Sequence, residues 1–584
     1  MRKLLLSLAI LLLSIGNVYA TTEFVVSVNK TGEDYNLAST AEAALDDAGD
    51  ITDGTVFTGD WDNQSGSDIA DATAVTWDAG SSTGTLIHMT GTQYLIDVTA
   101  GTLADNDTVS DGTNTFDING TPDDVILVIE CYDDDGAMTD AFSFNGNTTG
   151  ANNYCVLRAA VGERHNGTLS TGASGTGFLM KRTTAGDIIK TGGSNGNVRV
   201  QWIQFEHTST GDIIDPYENA YGWHYEIFVS NCILKGGTNG FNGLGKAILK
   251  NTIAYGQSNY CFVDGVHDSV AFTGYNLTAD ASGANYGYGG SKKPSLYNCI
   301  GVDAGTDDYV SGCGGDFNLS SDATAPGTNS LINKLSTDQF VGSGDYHLKS
   351  GADAIDAGNA IYAYQNPDID GVVYTGKGTL EFSDDFTGTV IDTSKWTKHR
   401  NDANITQDDS LTCAGGSTTS GTDYYGRSVI ATDGNYDAFQ DGVITGKVYL
   451  TTNGIAEVYA RWDTTGITSS PYNGTGVPAR MDARSGQGIS MDDTQKTFSA
   501  TLNTWSDFSI IFDGDFCKLV FQGYEAVDTS ASVTVSGACS LQNHYGDQSE
   551  FDDIKAYELE PADIGADEYV AAGGASWTPK IMIF

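Results

Sequence analysis

The sequence predicts an all-β chain built around a solenoid of parallel strands, and three observations carry that prediction. First, four segments between Asn197 and Val302 repeat one local pattern, an Asn followed by small or apolar residues: Asn231-Cys232-Ile233-Leu234, Asn251-Thr252-Ile253-Ala254, Asn276-Leu277-Thr278-Ala279 and Asn298-Cys299-Ile300-Gly301. The Asn positions are 20, 25 and 22 residues apart, and residues 198–205 fit the same slot upstream. A repeat of this length, rich in β-branched residues, matches one coil of a parallel β-helix, with coils stacked at roughly 4.8 Å. Asn suits the corners because it tolerates left-handed backbone and bonds locally. Second, the chain holds 72 Gly among 584 residues and few helix-forming runs. Third, its C-terminal third alternates apolar and polar residues in strand-length runs. The competing reading of the repeat is an antiparallel sandwich with accidental spacing.

The N-terminus reads Met1-Arg2-Lys3, an apolar run from Leu4 to Ile15, then Val18-Tyr19-Ala20. This is the pattern of a bacterial-type secretory signal peptide, residues 1–20, cleaved after Ala20. It predicts a secreted or cell-surface protein, and no later stretch is long enough to span a membrane. The net charge is −47, from 29 basic and 76 acidic residues. Such a surface repels nucleic acid and anionic lipid and suits Ca2+ binding. The nine Cys are an odd number for an oxidising compartment. Cys232 and Cys299 share a slot three coils apart, too far for a bridge, and read as buried thiols. Cys131 with Cys155 and Cys517 with Cys539 are candidate disulfides.

In chain order, residues 21–379 read as the solenoid. A short helix follows the first strand, with Ser39 and Glu42 at capping-box spacing. A helix there would cover the open end of the stack. A Thr-, Gly- and Asp-rich stretch near 53–121 reads as a small inserted β module. Arg164 and His165 read as a turn, Arg164 paired to a carboxylate and His165 capping backbone groups. Residues 380–557 alternate as a two-sheet sandwich, with Trp396, Trp462 and Trp505 assigned to its core. Residues 558–569 return to the solenoid, and 570–584 form a tail.

Two stretches carry a resemblance. The opening Gly32-Glu33-Asp34-Tyr35-Asn36-Leu37, and the closing Asp345-Tyr346-His347-Leu348, Ala354-Ile355-Asp356-Ala357-Gly358, Asp368-Ile369-Asp370-Gly371 and Asp563-Ile564-Gly565-Ala566, resemble the ends of secreted right-handed parallel β-helix proteins of the pectate-lyase-like kind. Ala352-Asp353 departs from the usual Ser-Pro. The resemblance implies a capped right-handed β-helix whose closing coil is split by an inserted domain, an arrangement tolerated at a surface loop. The edges of the insert, Phe382-Ser383-Asp384-Asp385-Phe386 and Phe551-Asp552-Asp553-Ile554, resemble concanavalin-like (laminin-G-like) jelly rolls, which implies glycan binding.

Chemistry is thinly marked. Asp264, His267 and Asp268 form the best acid–base cluster, against the alternative of a solvated turn. Asp212 with Asp215 is a weaker carboxylate pair. Asp368 and Asp370 mimic the start of a calcium loop, but Lys377 stands where its last ligand belongs. Sugar rings stack on aromatic faces, so Tyr217, Tyr221, Trp223 and Tyr225, with Tyr286 and Tyr288, are candidate glycan contacts. The leading reading is a secreted polysaccharide-binding or adhesion protein. One rival is a polysaccharide lyase or glycoside hydrolase working in the β-helix groove. Another is a surface or spike protein, for which a trimer is expected.

Overall fold

A computed structural model describes most of residues 21–566; the longest internal intervals outside the description are 217–225, 415–427, 433–440, 463–476 and 529–537. The predicted signal peptide and tail also lie outside it. The described chain is all-β and divides into two units. One comprises essentially residues 21–355 with 564–566, the other 356–363 and 374–563.

In the first unit the chain visits three parallel sheets in rotation. One strand from each visit lies beside its counterpart from the previous visit. The first sheet runs Cys155–Ala159, Asn197–Gln201, Glu226–Ser230, Ala247–Lys250, Thr273–Tyr275, Ser295–Tyr297 and Gly314–Asp316. The second runs from Leu179–Arg182 to Leu319–Ser320, and the third from Phe142–Phe144 to Asp307–Tyr309. Register is kept throughout: Val229 pairs Leu249, Ile233 pairs Ile253, and Phe262 pairs Tyr288. The interior is one continuous apolar column, from Phe24 through Leu157, Val200, Phe241 and Leu277 to Tyr309. Inside the third sheet, Phe262, Tyr288 and Tyr309 stack with centroids 5.3 and 4.8 Å apart.

One residue per circuit turns the chain from the first sheet to the second. It is Trp202, Asn231, Asn251, Asn276, Asn298 and Phe317 in succession, each with positive φ between 47° and 61°. That conformation costs an ordinary residue roughly 1–2 kcal/mol. Asn lowers the cost and adds a bond along the stack, where the Asn276 amide donates to Asn251 Oδ1 at 2.9 Å. The repeat read from the sequence is this corner. Cys232 and Cys299, one residue past it, are fully buried thiols.

Toward the N-terminus, Thr21–Val28 pairs in parallel with residues 124–131, and the helix Ala38–Leu45 buries Ala38, Ala41 and Leu45. The capping-box expectation fails: Ser39 lies inside the helix, and its N–H donates to the Asp140 carboxylate at 2.8 Å. A distant side chain satisfies the orphan donor that a local one was expected to take. The inserted module is a closed antiparallel ring of six strands, Val56–Ser65, Gln93–Ala100, Ser82–Met89, Thr73–Trp77, Thr108–Ser110 and the first half of Thr115–Cys131. Trp77, Tyr94, Phe116 and Ile118 fill it.

Near its end this unit forms a hairpin, Phe340–Gly342 with Asp345–Leu348. Residues 564–566 return to it: Ile564 N–H donates to Ala354 O, Gly565 N–H to Asn298 O, and Ala566 N–H to Thr278 Oγ1. Gly565 has φ +111° and a Cβ there would lie 2.7 Å from Ile300 Cδ1, so only glycine fits.

The second unit holds two antiparallel sheets over an apolar core. The eight-stranded sheet centres on Gln548–Leu559, the seven-stranded one on Ala538–Asn543 and Ile455–Trp462. Trp396 is buried, and its Nε1–H donates to Asp384 Oδ2 at 2.8 Å; Phe386 N–H donates to the other oxygen of the same carboxylate. The Asp-Asp-Phe edge motif thus ties a turn to a core indole. Trp505 departs from expectation. It stands on the solvent side of its strand, 42% exposed, and the side chain of Trp462 lies outside the description.

Neither candidate disulfide forms, and all nine cysteines are free thiols. Cys131 sits opposite Ala159, four residues out of step with Cys155; Cys517 and Cys539 belong to different sheets.

Two outcomes are expected. Asn276→Ala lowers the unfolding free energy by about 1–3 kcal/mol in urea titrations, while Asn276→Gly costs less, because only the alanine strains the left-handed corner. Thiol titration yields nine equivalents in denaturant and far fewer natively, with no reductant-dependent change in gel mobility.

Candidate functional site

The outer side of the third sheet gathers most of the polar and aromatic chemistry that the sequence scattered. Its half-buried residues include Asp187 and Lys190, Asp212 and Asp215, and Asn242 toward one end; farther along, Tyr260 pairs Asn239 on one side and Tyr286 on the other. Apolar residues between them, such as Ile188, Ile213, Phe241 and Phe262, turn inward.

At one end stand three carboxylates. Asp187, Asp212 and Asp215 each bring an oxygen within 4.8 Å of the others, a geometry that could hold a divalent cation. Asp212 accepts from the Asn239 amide N–H and side chain, at 3.1 and 2.8 Å, and from Asn242 Nδ2 at 2.8 Å. Asp187 accepts from Asp212 N–H at 2.7 Å and pairs with Lys190 at 2.9 Å. Asp215, abreast of Lys190, leaves its buried Oδ1 without a partner.

These surroundings split the protonation of the cluster. Burial, then the charges of Asp187 and Asp212, push the Asp215 carboxyl up to about 6, against the opposing Lys190. Burial also acts to raise Asp187, but the Asp212 amide and Lys190 outweigh it and hold that carboxyl below its ordinary value. Asp212 is raised by burial, with the Asn242 and Asn239 bonds opposing. An ionised carboxylate thus stands beside one that is readily protonated, the arrangement that acid–base work requires.

Farther along, the Tyr260 and Tyr286 rings stack with centroids 4.7 Å apart and planes 18° from parallel. Both are half-buried.

Of the site residues expected from sequence, Tyr286 stands on this face. Tyr288 does not: it is fully buried between Phe262 and Tyr309, and its hydroxyl donates to Ile300 O at 2.9 Å. The two tyrosines lie two positions apart, so strand alternation alone does not separate them. Asp264 is neither in a solvated turn nor on the outer face; it is 2% exposed, with Gly243 and Gly290 as its neighbours above and below. A side chain so placed cannot reach a sugar. His267 and Asp268 lie outside the described residues, as do Tyr217, Tyr221, Trp223, Tyr225 and Asp370. Asp368 is buried, and its carbonyl accepts from Asn231 Nδ2 at 2.6 Å.

Sequence reasoning missed Asp187, Lys190, Asn242 and Tyr260. The Asp212 and Asp215 pair was visible, but its partners come from neighbouring circuits. Arg164 was expected to meet a carboxylate; its guanidinium instead lies 4.8 Å from the Trp202 ring centre. His165 does bond backbone, with Nε2 at 2.8 Å from Asn231 O.

A second polar face lies in the sandwich. On the side of its seven-stranded sheet turned from the core, Glu457, Asp482 and Gln542 are buried and Tyr459 and Arg480 half-buried, with Arg480 and Asp482 paired at 2.8 Å.

No protein-family model matches this chain, and no curated protein matches it. Solved structures similar to parts of it include the β-glucanase of Bacillus licheniformis, at 7% identity and TM-score 0.25, covering 31% of this chain and 99% of that one. A carbohydrate binding module from Bacillus subtilis matches at 13% identity and TM-score 0.20, covering 28% and 96%. The catalytic domain of an endo-1,3-β-glucanase (laminarinase) from Thermotoga petrophila matches at 15% and TM-score 0.24, covering 31% and 98%. Likeness at these scores carries no inference about activity.

The raised Asp215 carboxyl makes a stability prediction. Its folded value lies above the ordinary 3.8, so its contribution is complete below that pH and is lost as pH rises through about 6. Asp215→Asn, neutral at every pH, should raise the unfolding free energy at pH 7.5 by on the order of 1–2 kcal/mol, after allowance for solvent screening, and the gain should vanish near pH 4.

Proposed function

We propose that this is a secreted protein that engages extracellular polysaccharide, with the three parallel sheets forming a right-handed β-helix and the outer side of its third sheet as the working surface. The observation that carries the reading is one sheet that bears the carboxylates with Asn242 toward one end and the stacked Tyr260 and Tyr286 farther along. Carboxylates and amides bond sugar hydroxyls, and flat tyrosine pairs receive sugar rings. The insert, read as a concanavalin-like jelly roll, would add a binding module through the face that bears the half-buried Tyr459 and Arg480.

A second reading, glycoside hydrolysis, is favoured by the divided protonation of the carboxylates. Asp215 would donate the proton to the leaving oxygen, and Asp187 or Asp212 would act as the ionised partner. Their spacing is nearer the roughly 5–5.5 Å of retaining enzymes than the roughly 6.5–9.5 Å of inverting ones.

A panel of purified polysaccharides, scored both for retention by affinity electrophoresis and for new reducing ends, separates the two. Tyr260→Ala and Tyr286→Ala should each weaken retention about tenfold, and unchanged retention in both would remove the surface from consideration. New reducing ends that disappear in Asp215→Asn, with retention kept, would establish the hydrolase reading. Loss of retention in Tyr459→Ala alone would move the binding to the insert.

A further inference from the structure

The chain contains a single Asp-Pro peptide, Asp215-Pro216, and it closes the strand Ile214–Pro216 of the third sheet. An aspartate can close a small ring onto its own backbone carbonyl, and proline offers a tertiary amide whose nitrogen carries no hydrogen. Two groups at this bond are left without a partner among the described residues. Asp215 Oδ1 is buried and accepts no hydrogen bond. Register sets Lys190 beside Asp215 and Thr191 beside Pro216. Thr191 is 1% exposed, and its hydroxyl also bonds to nothing. Burying a polar group unbonded is costly, and here two flank one peptide bond.

The surrounding groups are bonded. Asp187 accepts from the Asp212 N–H and pairs with Lys190, and Asp212 accepts from Asn239 and Asn242. Asp215 is thus left with two like charges, an oxygen of each within 4.8 Å of one of its own. Any step that removes its charge relieves that repulsion. Toward the next circuit, the register pairs Ile214 with Phe241 and stops short of Asp215.

We propose that the Asp215–Pro216 bond is a self-cleavage site. An oxygen of the ionised Asp215 side chain attacks the carbonyl carbon of the same residue, closing a cyclic anhydride as the carbon–nitrogen bond to Pro216 breaks. The electron pair stays on the proline nitrogen, which takes a proton from water while Thr191 donates a hydrogen bond to it. The hydroxide left behind opens the anhydride. One water is consumed, Asp215 regains its side-chain carboxyl and gains an α-carboxyl group, and the acid proton ends on the Pro216 amine. Oδ1 has no hydrogen bond to break before it attacks, and closing the anhydride discharges Asp215 beside Asp187 and Asp212. Circuits on the two sides of the cut stay paired, Ile189 with Ile214 and Val200 with Val229, so the two pieces remain one particle. Cleavage here is independent of whether this face binds polysaccharide.

The test incubates the purified full chain with protease inhibitors and follows it by denaturing gel, intact mass and native size exclusion. Two fragments should appear at a rate independent of protein concentration, the second beginning at Pro216, while size exclusion still gives one peak. Asp215→Ala should abolish the cut, and Thr191→Val should slow it about tenfold, the loss of one hydrogen bond. Pro216→Ala, which restores a secondary amide, should slow it by about tenfold or more. The same chain in urea should cleave at least about tenfold more slowly, because the fold no longer holds the carboxylates together. Equal rates folded and unfolded would reduce the cut to the ordinary lability of an Asp-Pro bond and overturn the proposal. So would a folded chain that stays intact, a cut at another bond, cleavage that persists in Asp215→Ala, or a rate unchanged in Thr191→Val. Thr191→Val exchanges an unbonded hydroxyl for a methyl group of the same shape, which keeps the test decisive should Asp215→Ala fail to fold.

Discussion

The in-register pairing of each circuit of the chain with the one before is what the rest of the first unit depends on. Backbone donors and acceptors on the strands are met by the neighbouring circuits, so the sheets can lengthen without long-range sequence specificity. Register also repeats side chains. A residue that faces inward on one circuit stands over an inward residue on the next, which is how Phe262, Tyr288 and Tyr309 come to stack. The left-handed corner once per circuit keeps that register from drifting, and its repeated Asn residues bond to the backbone or to each other.

The same constraint builds surfaces. Outward positions form columns as strictly as inward ones do, so chemistry accumulates on a face even when the residues are 20 to 30 positions apart in the chain. On the third sheet the accumulation is carboxylates, amides and tyrosines. Each carboxyl of the acidic cluster is set by its neighbours on adjoining circuits. Asp187 is held ionised by Lys190 and the Asp212 amide, whereas Asp215 is pressed toward its protonated form by burial and by two like charges. The division of labour within the cluster is a property of the stack.

Much of the framework was legible in the sequence. The corner asparagines, the buried thiols at Cys232 and Cys299, the helix near Ala41 and the alternation of residues 380–557 all express local rules: tolerance of positive φ, burial of apolar side chains, strand periodicity. Gly565 could be flagged as part of a motif, but its reason, contact with Ile300 across more than 260 residues, is tertiary. The errors share a cause. The capping of the helix by Asp140, the exposure of Trp505 and the absence of both candidate disulfides depend on what the fold brings close. Linear spacing does not report that.

The sequence by itself determined the strand-rich character, the repeat, the left-handed corners and the acidic balance, because each depends on residue type and on neighbours a few positions away. The tertiary structure decided which side of a strand each residue presents and which circuits lie abreast. Tyr286 and Tyr288 differ by two positions, which strict alternation would put on one side, yet the first is half-buried and the second is enclosed between Phe262 and Tyr309. Asp187 and Asp215 acquired opposite protonation tendencies only when stacking placed them within 4.8 Å. Electrostatic coupling falls with distance in space, and that distance is set by the stack of circuits.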